Sequence, residues 1–136
     1  MDAGLVTSIL LDTNALLWLA SAPNRISATS RAVLEDQRNE LYVSAVSAWE
    51  VAIKTRIGRL NGAPLLNAWT DVVAGMNAVD LAIDATDATM AGQLDWDHKD
   101  PFDRMIVAQA ARRGLTIATS DSHMIHGALT PVLTTW

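Results

Sequence analysis

The 136-residue chain is half apolar and 18% charged, a balance that excludes intrinsic disorder and predicts one folded domain over residues 1–136. Cysteine is absent, which excludes a disulfide scaffold and cysteine-based zinc sites and suits a reducing compartment. The formal net charge of −5 excludes a generic basic nucleic-acid binder, unless clustered acids are neutralised by a metal.

Short apolar runs alternate with amphipathic segments along the whole chain. Apolar runs of this length predict buried strands, and the 3.6-residue periodicity between them predicts helices. In chain order the predicted elements are a strand at 6–11, helices at 14–20 and 27–37, a strand at 40–44, a helix from a cap at Ser44 or Ser47 to about residue 60, a helix at 65–76, a strand at 79–83, helices at 84–94 and 101–113, a strand at 115–119, a helical turn at 122–126 and a strand at 132–135. This alternation predicts an α/β domain whose parallel sheet is covered on both faces.

The apolar N-terminal segment 4–22 invites comparison with a secretory signal, because it ends in small residues. Asp2 makes the terminus acidic, no basic residue precedes Arg25, and Asp12 interrupts the apolar run, whereas a signal peptide needs a basic start and a continuous apolar stretch. No stretch reaches the roughly 20 apolar residues of a membrane span. We therefore expect a soluble, cytoplasmic protein that does not contact a membrane.

Four acids separated in sequence are predicted to meet at one edge of the sheet, because the carboxyl ends of parallel strands share an edge and ligands bind beyond it. Asp12 ends the first predicted strand, and Asp121 follows the strand at 115–119. Asp103 lies in the first turn of a helix that starts at the same edge, and Glu50 lies near the start of another.

Each acid also has a purely structural explanation. Asp100 suits a helix N-cap, and we favour that role. Asp103 suits the positive end of a helix dipole, so a role as helix cap and a role as metal ligand both remain open for it. Glu50 is placed to pair with Lys54 at i+4, and Asp121 to cap the short helix that follows it.

Asp12 has the weakest structural explanation, because a carboxylate at the end of a buried strand needs a partner. Several carboxylates crowded together repel one another and raise one another's pKa unless a cation is present. Oxygen ligands of this kind suit Mg²⁺ or Mn²⁺, which can activate water against a phosphodiester. The pattern therefore indicates nuclease chemistry.

Four segments in this order, "LLDTNALLW", "SAVSAWEVAIKTRIGRL", "HKDPFDRMIVAQA" and "TIATSD", together resemble PIN-domain proteins and especially the VapC-type toxins of type II toxin–antitoxin pairs. The resemblance covers nearly the whole chain. It implies a PIN-like α/β/α sandwich with a central, mostly parallel sheet. It also implies a metal-dependent endoribonuclease that hydrolyses structured RNA, such as tRNA or rRNA, with a metal-activated water.

The resemblance also assigns site residues and partners. Its acidic quartet, with Mg²⁺ or Mn²⁺ as cofactor, falls on Asp12, Glu50, Asp103 and Asp121. Three further residues would orient these carboxylates, namely Asn14, Thr119 and Asp100. The expected partners are a VapB-like antitoxin, the RNA substrate and a second copy of the chain in a homodimer. Relatives often carry a proline and paired histidines before "DPFDR", whereas this chain has a single His98, which leaves any substrate contact by His98 in doubt.

Basic and aromatic residues have both functional and structural interpretations. We expect Arg104 and Lys54 to contact RNA phosphates or the antitoxin, because they adjoin predicted metal ligands. Other residues are assigned by their surroundings: Arg56, Arg112 and Arg113 to a solvated helix face, Trp49 and Trp69 to the core, Trp18 to a groove for the antitoxin or a second subunit, and His98, His123 and His126 to the surface.

Two other functions compete with the nuclease. A phosphohydrolase of the haloacid-dehalogenase type also begins with an aspartate at a strand end, but it needs an acid where this chain has Asn14 and a lysine later than Lys99. A non-catalytic PIN-fold module that binds RNA or protein is the second alternative. An incomplete quartet would favour such a module, and all four acids are present.

Overall fold

A sheet of five strands, all parallel, runs through residues 6–136, the part of the chain that this computed structural model describes. Residues 1–5, which include the Asp2 used above, lie outside the described residues. The strands are β1 (Ser8–Leu11), β2 (Glu40–Ser44), β3 (Ala78–Leu81), β4 (Thr116–Thr119) and β5 (Val132–Thr134). The predicted α/β class is confirmed, and the sheet is wholly rather than mostly parallel in this part of the chain.

Helices cover the connections between these strands. They are α1 (Thr13–Ser21), α2 (Ala28–Glu35), α3 (Ala45–Arg56), α4 (Ala63–Asn67), α5 (Trp69–Gly75), α6 (Ala85–Gln93), α7 (Pro101–Arg113) and α8 (Ser122–Gly127), with a 3-10 turn at Pro23–Arg25. Among the helices of the described residues, none has both the length and the apolar character needed to cross a membrane.

The spatial order of the strands, β3-β2-β1-β4-β5, places the first strand in the middle of the sheet. Leu10 of β1 is in register with Tyr42 of β2 on one side and with Ile117 of β4 on the other. The chain builds one half of the sheet from β1 through β3 and then returns to the other side of β1. The carboxyl ends of β1 and β4 therefore form the topological switch point, where ligands of such sheets bind.

Alternate residues of β1 pack on opposite faces of the sheet, which produces the three layers. Ile9 and Leu11 belong to a core that includes Leu16 of α1 and Leu34 of α2. Leu10 belongs to a second core, which includes Val46 from α3, Ile106 and Val107 from α7, and Met124 from α8. The predicted α/β/α sandwich follows directly from a central strand that is buried on both faces.

The extent of one helix and the location of one tryptophan differ from the predictions. The predicted helix at 65–76 is two helices, because Ala68 leaves helical geometry at φ −117°. The first of them already begins at Ala63, with Pro64 in its first turn. Trp49, assigned to the core, is 56% exposed and meets the edge of the Phe102 ring at 5.2 Å between centroids. Trp69 does pack against the core, as predicted.

Arg112 is exposed, as expected, but Arg112 and Arg113 are not merely a solvated face, because both bind the fully buried Asp87 of α6. Their guanidinium groups donate to Asp87 at 2.6 Å and 2.8 Å. Burial opposes the charge of Asp87, but the hydrogen bonds from both arginines outweigh it and hold the pKa well below its ordinary value. This cluster fastens α6 to α7 and so fixes the position of the helix that carries Asp103.

Candidate active site

Asp12 lies at the carboxyl end of β1 and caps α1. One carboxylate oxygen accepts a hydrogen bond from the backbone N–H of Ala15 at 2.7 Å, and the other accepts from the Thr119 hydroxyl at 2.5 Å. Burial raises the pKa of Asp12 to about 6, although both hydrogen bonds act in the opposite direction, and the nearby charges of Asp103 and Asp121 raise it further. Ionisation of Asp12 is therefore energetically unfavourable in the metal-free protein, and a bound cation would make it more favourable.

Thr119, predicted to orient carboxylates, links two of the acids. Its hydroxyl donates to Asp12 and accepts from the backbone N–H of Asp121 at 3.0 Å. Asp121 in turn caps α8, where its Oδ1 accepts from the backbone N–H groups of His123 at 2.7 Å and Met124 at 3.3 Å. The structural explanation offered for Asp121 is thus confirmed, and the cap leaves its carboxylate beside the other acids.

Asp100 and Asp103 share the first turn of α7. Asp100 is the N-cap, as predicted, and accepts from the backbone N–H groups of Phe102 at 2.9 Å and Asp103 at 3.2 Å. Asp103 is held instead by His98, whose Nε2 lies 2.7 Å from Oδ2 of the carboxylate. Burial raises the pKa of Asp103 to about 6, and repulsion from Asp100 and Asp121 adds to the rise, while the His98 contact lowers it.

Glu50 of α3 is buried, with 7% of its surface exposed, and both of its oxygens have partners. Thr13 donates to Oε1 at 2.6 Å, and the Thr13 hydroxyl also lies 2.9 Å from that of Ser47. The ammonium group of Lys54 forms an ion pair with Oε2. The i+4 pairing is therefore confirmed, and Lys54 is engaged with Glu50 rather than extended toward a ligand.

Thr13 and Ser47 were missed by the sequence reasoning. Thr13 directly follows Asp12, and Ser47 lies one turn before Glu50, so their spacing was a usable signal. Asn14, predicted to orient the carboxylates, is exposed and makes no hydrogen bond to them within residues 6–136. It lines a groove with Trp18 instead. The hydroxyl of Thr13, and not the amide of Asn14, is the group that donates to Glu50.

Arg104 does not have the role that we predicted, because its guanidinium group is occupied by the main chain. Each of its five N–H groups donates to a different carbonyl oxygen of the segment 91–98 that precedes α7. The acceptors are Ala91 at 2.8 Å, Gly92 at 3.4 Å, Leu94 at 2.7 Å, Trp96 at 2.6 Å and His98 at 3.0 Å. No N–H group is left for a phosphate or an antitoxin, and Arg104 organises the approach to the site.

His98 is also placed differently from our expectation of a surface residue. Its side chain is 19% exposed, and its ring stacks on that of His123 at 4.6 Å and 5°. His123 and His126 are exposed, as predicted.

The structure thus brings Asp12, Asp103 and Asp121 close enough to repel one another, and it ties Glu50 to the residue that follows Asp12. In the described part of the chain no three of these four acids have ligand atoms all within 4.8 Å of one another, whereas His98, Asp100 and Asp103 do. Buried carboxylates with mutual repulsion and raised pKa values fit a hard divalent cation, because its charge removes the repulsion. The donor set therefore suits Mg²⁺ or Mn²⁺.

The raised pKa values predict how metal-free stability changes with pH. Asp12 and Asp103 bind a proton more tightly in the folded state than at the ordinary value of 3.8, so their contribution to stability is present below pH 4 and is lost as the pH rises through about 6. Thermal melting of Asp12→Asn or Asp103→Asn protein should lack this part of the decline. A decline between pH 4 and pH 7 identical to that of wild type would contradict the prediction.

The fold and the site define the class, an α/β protein with a group of acidic side chains at the switch point of a parallel sheet. The PIN-domain family model matches residues 9–128, and the chain belongs to the PIN-domain family. It is similar to ribonuclease VapC22 of Mycobacterium tuberculosis (strain ATCC 25618 / H37Rv), with 27% identity over 119 residues, 88% of this chain and 91% of the relative. The predicted resemblance to PIN-domain, VapC-type proteins is therefore confirmed.

Solved structures agree with this placement. FitAB bound to the IR36 DNA fragment contains a chain that is 26% identical with a TM-score of 0.61, and the match covers 93% of this chain and 94% of that one. VapBC2 from Rickettsia felis, bound to a DNA fragment from its promoter, matches 96% of this chain and 100% of its own at 12% identity, with a TM-score of 0.69. The second likeness shows the fold alone. Membership of the PIN family sets aside the haloacid-dehalogenase alternative.

Proposed function

We propose that this protein is a divalent-metal-dependent endoribonuclease that hydrolyses phosphodiester bonds of structured RNA. The observation that supports this most directly is the group of three mutually repelling carboxylates, Asp12, Asp103 and Asp121, at the switch point of the sheet. The name of the relative ribonuclease VapC22, which aligns over 88% of this chain, supports the same activity.

A bound Mg²⁺ or Mn²⁺ ion would supply a water of lowered pKa and positive charge to stabilise a phosphodiester in transition. Asp12, Asp103, Asp121 and Glu50 would hold it. The protein's own part is to orient these acids, with Thr119 between Asp12 and Asp121, Thr13 on Glu50, and each capping carboxylate fixed to the start of a helix. Such preorganisation limits the reorganisation needed at the moment of reaction.

The partner we propose is a VapB-like antitoxin that keeps the nuclease inactive. FitAB and VapBC2, two of the solved structures that match this fold, are toxin–antitoxin complexes. A groove beside α1, lined by Leu17, Trp18, Pro64 and Leu65, offers apolar contacts for a partner helix and reaches the exposed Asn14 next to the site.

We also propose a cytoplasmic location.

We further propose a homodimer. Trp49 of α3 and Ile57, which directly follows α3, are large apolar side chains that are more than half exposed. A second copy of the chain would cover them.

The test is to incubate purified, antitoxin-free protein with tRNA and with rRNA, in Mg²⁺, in Mn²⁺ or in chelator. Discrete fragments that appear with either ion and vanish with chelator are the expected result. If folded protein, shown by direct binding to be loaded with metal, cleaves none of these RNAs, the nuclease proposal fails. RNA retention without cleavage on a native gel would then favour a non-catalytic binding module.

A further inference from the structure

We propose that His98 is a positioning residue for Asp103, which holds this carboxylate in the orientation from which it would bind a divalent cation. The inference rests on the proposed metal dependence and adds a residue outside the acidic quartet. Nε2 of His98 lies 2.7 Å from Oδ2 of Asp103, and Oδ1 makes no hydrogen bond within residues 6–136. A carboxylate with one oxygen fixed by an imidazole N–H is restrained from rotating and presents the other oxygen.

The ring of His98 is itself restrained from several directions. The backbone carbonyl oxygen of His98 accepts a hydrogen bond from the Arg104 guanidinium at 3.0 Å, which fixes the backbone at this residue. The ring contacts that of Trp96 at 4.8 Å between centroids with a tilt of 46°, and it stacks almost parallel on the ring of His123 at 4.6 Å. A side chain held on its backbone and by two aromatic neighbours can impose its own geometry on a flexible carboxylate.

Both aromatic neighbours are tied to α8, the helix that Asp121 caps. His123 donates its backbone N–H to Asp121 at 2.7 Å. Trp96 lies over Gly127, where an added Cβ would come within 2.3 Å of its ring. His98 therefore links Asp103 of α7 to α8, the helix that Asp121 caps. In this way it holds the carboxylates of Asp103 and Asp121 in a fixed relative position.

One alternative is that His98 binds the metal directly, because its ligand atom, those of Asp100 and those of Asp103 all lie within 4.8 Å. The observed contact favours positioning. When Asp103 is ionised its carboxylate can only accept, so the 2.7 Å contact then requires Nε2 to carry the hydrogen and donate it. A nitrogen that carries this hydrogen has no lone pair for a metal.

The test compares two variants of the full chain in direct Mn²⁺ binding, by electron paramagnetic resonance and calorimetry at pH 7.5 without RNA. His98→Phe keeps a ring for the contacts with Trp96 and His123 but lacks the donor. His98→Gln places an amide N–H at similar reach and is a poor metal ligand. His126→Phe, at an exposed histidine of α8, is the matched control.

We expect His98→Phe to weaken Mn²⁺ binding by about tenfold or more, and His98→Gln to recover most of that loss. His126→Phe should bind like wild type. Recovery by glutamine is the readout that a merely structural role for the ring would not produce. If melting shows that His98→Phe is unfolded, His98→Ala replaces it in the same comparison.

Unchanged Mn²⁺ affinity in His98→Phe would overturn the inference. Equal losses in the phenylalanine and glutamine variants would also overturn it, because that result identifies a direct ligand. Failure of the wild-type protein to bind Mn²⁺ is a different outcome, which removes the proposed metal dependence itself and with it the inference. The binding measurement therefore separates failure of the positioning role from failure of the proposed function.

Discussion

Replacement of Asp12 by asparagine is expected to lower the rate of RNA cleavage on the order of 10³-fold while the protein remains folded. The asparagine keeps the shape of the side chain and an oxygen for the Ala15 N–H, and the Thr119 hydroxyl can rotate to accept from the new amide. What is lost is a negative charge at the centre of the site. Single-turnover cleavage with saturating Mg²⁺ measures the effect.

The Asp12→Asn substitution, which lowers the cleavage rate, should not lower the stability of the metal-free protein. Asp12 is buried and its pKa is raised to about 6, so its ionised form destabilises the metal-free protein at pH 7.5. The melting temperature of metal-free Asp12→Asn protein should therefore equal or exceed that of wild type. Asp71→Asn, an exposed acid in the first turn of α5, is the control and should change neither quantity. Cleavage by Asp12→Asn at the wild-type rate would remove Asp12 from the catalytic group.

The convergence of the acids could be predicted because it depends on topology. Once the strands are taken as parallel, the residues that follow their carboxyl ends must share an edge, and Asp12 and Asp121 do. Helices that return over such a sheet begin at the same edge, which places Asp103 and Glu50 there as well. Capping by Asp100 could likewise be predicted, because an acid before a proline at the start of a helix is a local signal.

The side-chain roles of basic and aromatic residues could not be predicted, because they depend on which face of a helix meets which neighbour. Trp49, Ile53 and Ile57 form an apolar stripe on α3, but Val46, Glu50 and Val51 face the interior. A periodic pattern shows which residues share a face of the helix, but it does not show whether that face meets the core or the solvent. The ion pairs of Arg112 and Arg113 could not be predicted either, because their partner, Asp87, is more than 20 residues earlier in the chain.

His98 shows the same limit at the site itself. Its contact with Asp103 spans five residues and was within reach of a sequence argument. Its contact with His123 joins the irregular segment before α7 to helix α8, and no sequence pattern predicts it. A residue that acts through its neighbours is recognised from geometry, whereas metal ligands can be proposed from chemistry and topology.

Replacement of Arg104 by alanine is expected to cost about 3–5 kcal/mol of unfolding free energy, the largest stability effect that we predict. The reason is that one guanidinium group donates to five carbonyl oxygens of a segment without regular structure over most of its length. Alanine would remove all five hydrogen bonds, and the Leu94 carbonyl would keep the backbone N–H of Trp96 at 2.9 Å as a donor. Urea unfolding measures the loss. Arg59→Ala, at an exposed arginine just beyond α3, is the control and should change stability by less than about 0.5 kcal/mol.

Arg104→Lys separates charge from geometry. A lysine keeps the positive charge but has three donors on a single nitrogen, so it cannot reach five carbonyls spread over the segment 91–98. We expect it to recover less than half of the alanine loss. Because the His98 carbonyl is among those released, this variant should also bind Mn²⁺ more weakly, although within residues 6–136 the Arg104 guanidinium forms no ion pair with an acid of the site. Equal stability of Arg104→Ala and Arg59→Ala would show that the guanidinium does not hold the segment, and the support that we assign to His98 would then have to come from its ring contacts alone.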